Sequence, residues 1–531
     1  MVVAPLLALA LAAPDTAGAQ ATSDGVWQRY RQPWMTAWSP LNRLADLGQA
    51  PPAGSPGLAA APAPRIGLWW TAGVPAALPF ELVDTRSEFH FTAAGASGPY
   101  RRAMDPDDVK VVQGSVFGWR PIGASGGAAG SIVIDQETAG ARPYAATLRP
   151  YSSDPFVVAD TTAPATRRVR ARLEGAFGWR AGPLGFGASV GLEEGDHRTR
   201  DAGFPHFGRS SAPAARAAVA YAPHPAVRVA VYGRWLRDSE TLSMGPRTMS
   251  GMVFRLAGYH DPDSGAVVGP AFFFRRSERS ARAGGVAAAG RVLRTDAVAY
   301  AERTIRRNRH FSAQVADPPA DRWDADGWVL GLAAQRRLVG PVLFTGQVRR
   351  ETLAGDARLA DLDGVVFRSS ESELTLSAEL RFAPAGVPWT VIAAYDLVRT
   401  RHLRYDFIAE VGADLVEWTP GVALAVMREF GRATIGLGAS GADHSAVGAI
   451  PDATALGPVY QTLVAPGMTF AASRARPLRL TGSVGYRTGP ATTLLLDGAW
   501  TSLDGPTSTL PFAPTGTRTA WSVGVRAVMT P

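Results

Sequence analysis

Between Arg168 and Arg180 the chain sorts its side chains into two rows. One row is Val169, Ala171, Leu173, Gly175, Phe177 and Trp179; the other is Arg168, Arg170, Arg172, Glu174, Ala176, Gly178 and Arg180. Successive side chains of a β-strand point to opposite faces, so this segment is a strand with one apolar and one charged face. It outruns the strands of soluble domains, which average about five or six residues. A strand that crosses a bilayer needs about 9–11 residues, with aromatics near the water boundary. The pattern recurs far along the chain. Leu374, Leu376, Ala378, Leu380 and Phe382 alternate with Glu373, Thr375, Ser377, Glu379 and Arg381, and Trp521, Val523, Val525, Ala527 and Met529 with Ser522, Gly524, Arg526 and Val528. A transmembrane antiparallel β-barrel is the fold class this predicts.

Alternating segments run from residue 65 onward, with candidates at 66–73, 86–95, 108–120, 128–136, 167–180, 183–195, 214–222, 226–238, 248–259, 280–291 and 294–305. They continue at 326–337, 341–353, 371–382, 388–401, 416–428, 431–440, 465–474, 477–488, 490–502 and 517–529, and the pattern also allows a short strand at 270–276. Tight connections such as Ala181-Gly182-Pro183 alternate with long ones such as 306–325, 354–370 and 441–464. Short periplasmic turns and long outer loops mark bacterial barrels, which generally have an even strand number. At about 25 residues per strand, roughly 16–20 strands are expected. The alternation of short and long connections fails at 477–488, which has short connections on both sides, so one candidate near the end is wrong. No run of 18 or more apolar residues follows the start, which excludes a bundle of membrane helices. Cysteine is absent, which removes thiolate metal sites and cysteine nucleophiles.

Residues 1–21 read as an export signal, with an apolar run from Val2 to Ala13 followed by small residues at Ala17-Gly18-Ala19 and Ala19-Gln20-Ala21. Residues 22–64 differ from the rest. Trp27, Tyr30, Trp34 and Trp38 precede a Pro/Ala/Gly-rich stretch, and this segment is expected to be a plug or periplasmic arm whose aromatics dock onto something. Residues 65–531 are expected to form the barrel, in the outer membrane of a Gram-negative bacterium.

The element Trp38-Ser39-Pro40-Leu41-Asn42-Arg43-Leu44, with Phe117-Gly118-Trp119, the stretch Tyr151-Ser152-Ser153-Asp154-Pro155-Phe156 and the charged segment Asp196-His197-Arg198-Thr199-Arg200-Asp201, resembles an uncharacterised family of Gram-negative outer-membrane barrels. The resemblance covers about the N-terminal third. It implies a barrel and a location, and no activity or catalytic residue. The start also resembles fatty-acid-transporter-type barrels with an N-terminal hatch.

No constellation for catalysis stands out. Asp443-His444-Ser445 are contiguous, whereas a triad draws on separated positions, so a solvated loop is expected there. The Asp-rich segments around 317–326 and 356–363 miss the ligand spacing of a calcium loop. Neither a metal nor another cofactor is expected, and the chain is read as no enzyme. What remains is a charged inner face. Its candidate lumen-lining residues are Arg168, Arg170, Arg172, Glu174, Arg180, Arg228, Arg234, Arg349, Glu351, Glu379, Arg381, Arg479, Arg487 and Arg526. These side chains suit either a pore that favours anions or Arg–Glu ladders that fill a lumen and brace its wall. Long segments bearing Arg275, Arg276, Arg279 and Arg282, or Arg303, Arg306, Arg307 and Arg309, suit the phosphates of outer-leaflet lipopolysaccharide. The expectation is a passive or partner-assisted conduit, with a structural or accessory barrel of an uptake or secretion complex as the alternative. The expected partners are outer-membrane lipid, lipopolysaccharide and a transport or secretion protein, with no nucleic acid.

Overall fold

The structure, a computed structural model, describes residues 74–529 apart from 82–84, 102–104, 142–154, 161–164, 200–205, 225, 245–250, 260–265, 269–272, 293, 314–319, 363, 385, 453–455, 457–459 and 506–513. The expected signal, the four aromatics Trp27, Tyr30, Trp34 and Trp38, and the candidate strand 66–73 lie outside the described residues.

Its strands begin with β1 (Arg86–Ser97), β2 (Asp108–Ile122), β3 (Gly126–Ala141), β4 (Phe156–Asp160), β5 (Ala165–Ala181), β6 (Leu184–Thr199), β7 (His206–His224) and β8 (Val227–Met244). Next come β9 (Gly251–Ala257), β10 (Ala266–Val268), β11 (Phe273–Val292), β12 (Thr295–Ala313), β13 (Asp321–Arg337), β14 (Val342–Arg358) and β15 (Phe367–Phe382). The last are β16 (Trp389–Asp406), β17 (Val411–Phe430), β18 (Ala433–Ala442), β19 (Ser445–Ala449), β20 (Arg476–Arg487), β21 (Thr492–Gly505) and β22 (Gly516–Met529).

All pairings in the main sheet are antiparallel, each stave with the next along the chain, β4, β9 and β10 lying outside it, and β22 pairs back onto β1 from Ser87↔Met529 to Ser97↔Thr519. The sheet is therefore closed, which leaves no unpaired edge for lipid to meet. β18 and β19 both lie along β17 and form one stave, so the barrel has 18 staves. Strands β10, β9 and β4 form a separate small sheet at the loop end. The candidate strand 248–259 belongs there, as β9, and not to the barrel wall. The candidate strand 465–474 is a helix, Ala465–Ala472, inside the long connection between β19 and β20. Removing it restores the alternation of tight turns and long loops that had failed at 477–488.

The outer face is apolar, as contact with hydrocarbon requires. Leu173 (54 %), Val190 (65 %), Val231 (58 %), Leu437 (65 %) and Val525 (53 %) stand exposed on strands, while the inner face buries Arg172, Arg216, Glu302 and Arg526. This inverts a soluble protein. Trp179 and Phe186 lie side by side near one tight turn. Trp235, Trp328, Trp500 and Trp521 stand eight or nine residues up their strands. At about 3.3 Å per residue and a tilt of about 40°, that places them about 20 Å above the turns, the spacing of two aromatic girdles. No helix among the described residues is long and apolar enough to cross a membrane. This is the architecture of an outer-membrane barrel, with its turns at the periplasmic end and its loops outside.

Before the wall begins, the chain runs inside it. A turn of 3-10 helix, Pro75–Ala77, and a short helix, Leu78–Glu81, precede β1. Val74, Ala76, Ala77 and Leu78 are fully buried, among Ala218, Ala220, Ala230, Tyr232 and Tyr300 on one side and Trp119 and Ala176 on the other. Those wall residues belong to strands on both sides of this segment, so it occupies the lumen at the turn end.

Candidate functional site in the lumen

The seat of Val74–Glu81 is built from absent side chains. A Cβ on Gly187 of β6 would lie 2.3 Å from Ala76 N and Pro75 C, and one on Gly178 of β5 would lie 2.6 Å from Pro75 O. One on Gly185 would lie 2.6 Å from Phe80 and 3.0 Å from Ala76 O. Backbone packs on backbone here, which only glycine permits. Ala218 and Ala220 of β7 and Ala230 of β8 extend the same low floor. The guanidinium of Arg228 stacks over Phe80, 5.7 Å from its ring centre.

Above this segment the inner face is a lattice of ion pairs. Arg168 Nη2 donates to Glu137 at 2.5 Å, and Arg170 and Arg172 share Asp135 at 2.9 and 3.1 Å. Arg172 also meets Glu193 at 2.9 Å. Arg234 donates to Glu302 at 2.7 Å, with Arg216 3.7 Å from the other carboxylate oxygen. β11 lies between β8 and β12, and its inward Ala283 and Gly285 leave room for this bridge to pass over it. Arg279 meets Asp238 and Glu240, both at 3.3 Å. Glu351 is paired with Arg349 and lies 3.8 Å from Arg306, while Glu373 lies 3.9 Å from Arg349. Arg526 lies 3.7 Å from Asp497.

Of the other lumen candidates, Glu174 accepts from Ser131 at 3.5 Å, and Glu379 and Arg381 are half-buried on β15. Arg479 is half-buried on β20, and among the described residues no acid partners its guanidinium. Arg180 and Arg487 are exposed at the turn end, where Arg180 donates to Ala124 O at 2.9 Å. The acids that partner the arginines were underestimated from sequence. Asp135, Glu137, Glu193, Asp238, Glu240, Glu302, Glu371 and Asp497 all occupy inner-face positions. Each sits in its strand's two-residue period, a signal that was present but weak, because their own inner rows are mixed with Ala, Gly and Ser.

At the loop end a second network ties a loop to the wall. His402 lies 2.8 Å from Glu417 and 3.5 Å from Glu371, and Glu371 also accepts from Arg404 at 2.8 Å. His444 is buried between β18 and β19. Its Nε2 donates to Ala471 O at 2.9 Å, which leaves Nδ1 to accept from the Thr419 hydroxyl at 2.9 Å. The expected solvated loop at 443–445 is thus a wall segment. Asp443, His444 and Ser445 do not converge, because the Asp443 carboxylate is held by Arg474 at 2.6 Å. His444 pins the helix Ala465–Ala472, and Met468 of that helix joins an apolar cluster with Tyr460, Tyr259, Phe367 and Trp323 at the outer mouth. Replacing His444 with alanine is expected to cost about 1–3 kcal/mol, the price of two buried hydrogen bonds. Hydrogen exchange read by mass spectrometry should rise across 460–475 and stay unchanged across β5–β8. Unchanged exchange at 460–475 would contradict the pinning role.

Arg279, Arg306, Arg307 and Arg309 fall between the candidate strands of the sequence, whereas the structure places all eight of these arginines on β11 and β12. β11 and β12 run well past the bilayer, and there the outer face changes from apolar to charged. Arg275, Arg279 and Arg306 point inward, while Arg276, Arg282, Arg303, Arg307 and Arg309 point outward.

No family model and no curated protein matches this sequence. Solved structures are similar in outline. The ferric yersiniabactin uptake receptor FyuA from Yersinia pestis is 10% identical with a TM-score of 0.42, over 85% of this chain and 80% of that one. The ferric preacinetobactin receptor BauA from Acinetobacter baumannii is 8% identical with a TM-score of 0.39, over 84% and 80%. CdiB from Acinetobacter baumannii is 8% identical with a TM-score of 0.36, over 83% of this chain and 60% of that one. At such scores nothing of what those proteins bind or move carries over to this chain.

Proposed function

We propose that the protein is a partner-assisted conduit of the outer membrane, closed at rest by its own N-terminal segment. The observation that carries this reading is the seat of Val74–Glu81, where three glycines keep the wall flat beneath a segment that is not part of it. A passive anion pore draws less support. Rings of arginine bias a channel when their charge faces the water path, and here Arg168, Arg170, Arg172, Arg234, Arg349 and Arg526 each have a carboxylate beside them. Those same pairs favour a second reading, an accessory barrel with a braced lumen. The uncharacterised barrel family and the hatch-containing barrels that the sequence resembles are compatible with both.

Conductance separates the two. In a planar bilayer the purified protein is expected to be silent or to open rarely, and a variant lacking residues 22–81 to conduct in steps. A folded deletion variant with no conductance would remove the conduit reading and leave the accessory one.

A further inference from the structure

The outer face of β12, β13 and β14 carries a feature that neither transport nor wall bracing requires. Arg309 stands directly opposite Arg322, and Arg322 directly opposite Arg358, so three exposed arginines form one row across three neighbouring strands. Like charges directly opposite on a sheet face destabilise it unless an anion lies between them. Among the described residues no carboxylate pairs with any of the three. Glu278, across from Arg309, is already held by Arg276 and by Arg237 at 3.6 Å. The row below is Arg307, Asp324 and Asp356: Asp324 stands opposite Arg307, one carboxylate beneath three arginines, and Asp356 is taken by Arg368 at 2.7 Å. One row further down Asp326 is taken by Arg303 at 3.0 Å.

The row's height selects its ligand. It lies 14 to 16 residues up its strands, above Trp328 and therefore outside the hydrocarbon. Lower on these strands and on the neighbouring β8 and β11, the bilayer-facing surface is hollowed into a groove. Ala288, Ala299 and Ala301 form its floor, Val231, Leu332 and Val348 are among its walls, and Arg350 of β14 closes its outer end. From Ala301 to Arg309 is eight residues of β12, or about 20 Å along the membrane normal at about 3.3 Å per residue and a tilt of about 40°. The row also stands six residues of β13 above Trp328, about 15 Å at the same rise and tilt, whereas a glycerophospholipid carries its phosphate at the level of the aromatic girdle. A lipopolysaccharide reaches both the row and the groove, because its phosphorylated core sugars stand above the interface and its acyl chains below it.

We propose that this face is a lipopolysaccharide-binding site, with sugar phosphates on Arg309, Arg322 and Arg358 and an acyl chain in the groove below. Arginine forks pair with phosphate oxygens two at a time, and each such contact is charge-assisted. The neutralised pair Arg303–Asp326 lies between the two ends of the site, facing the polar linkages of the lipid.

The test uses the full-length protein, delipidated in detergent, with phosphorylated lipopolysaccharide as the probe and binding followed by native mass spectrometry. Wild type should bind it, and phosphatase treatment of the lipid should weaken binding by about tenfold or more, as should the triple variant R309Q/R322Q/R358Q. Phosphatidylglycerol should not replace it, and millimolar inorganic phosphate should not displace it. Equal affinity of the triple variant and wild type overturns the proposal, as does full competition by phosphatidylglycerol or by phosphate alone. A dimer whose formation depends on the same row would assign the surface to a second copy and overturn it too. If the triple variant fails to show the heat-dependent gel shift of a folded barrel, the single variant R322Q answers the same question, with about a tenfold loss expected and no loss counting against the site.

Discussion

A valine at Gly187 is expected to open the barrel. The Cβ alone would stand 2.3 Å from Ala76 N and Pro75 C and 2.7 Å from Ala76 Cα, distances at which backbone atoms cannot remain. The wall is a ladder paired on both sides, β5 with β6 and β6 with β7, so it holds its place and the lumen segment yields. Valine is otherwise welcome in a strand, and the outer face is untouched. Overpacking of this kind typically costs about 1–3 kcal/mol, and about 1.4 kcal/mol is tenfold in an equilibrium. The open-to-closed ratio should therefore rise about tenfold to hundredfold, read as channel openings per unit time in a planar bilayer. Gly175 on β5 supplies the control, because a Cβ there meets nothing within 4 Å, and Gly175→Val should leave conductance at the wild-type level. If Gly187→Val and Gly175→Val behave alike, the segment is not what closes the lumen.

Why that segment escaped the sequence is physical. Val74-Pro75-Ala76-Ala77-Leu78-Pro79-Phe80 has no two-residue period, and its prolines read as a turn; its meaning lies in glycines more than a hundred residues away. The wall itself was legible wherever it faces hydrocarbon. There an apolar row must oppose a polar one, and Arg168–Arg180 reads the same in sequence and in structure. The signal fades once a strand rises into water. β12 continues to Ala313, but outward Arg307 and Arg309 break the apolar row, so the chain from 306 onward reads as loop. The helix Ala465–Ala472 misled in the other direction, because Met468 and Phe470 alternate with Thr469 as a strand would. Ion pairs were hidden for a third reason. One strand shows which face a charge is on, but the partner depends on register with the next strand, as with Arg170 opposite Asp135.

The most deeply buried of these pairs should be the most costly to break. Glu302 has no exposed surface, and its carboxylate lies between Arg234 at 2.7 Å and Arg216 at 3.7 Å, with Thr304 3.4 Å from Arg234. Arg216 also stacks on Tyr232, 5.0 Å from the ring centre. Replacing Glu302 with alanine leaves two guanidinium groups facing each other in a site that excludes water. Breaking a buried pair by removing one partner costs about 3–5 kcal/mol, most of it the unpaired charge left behind. Urea unfolding of the barrel in lipid vesicles should register that loss. The variant in which all three become apolar, Arg216→Met with Arg234→Leu and Glu302→Met, should recover most of it, because a well-packed apolar set of similar volume replaces a buried ion cluster at little net cost. Recovery would mean that the cluster braces β7, β8 and β12 without supplying charge to a water path, and conductance through the Gly187→Val background should then be unchanged by the triple replacement. A loss below about 1 kcal/mol for Glu302→Ala, the value of an exposed pair, would instead show that water reaches these groups and that the lumen is open at this level.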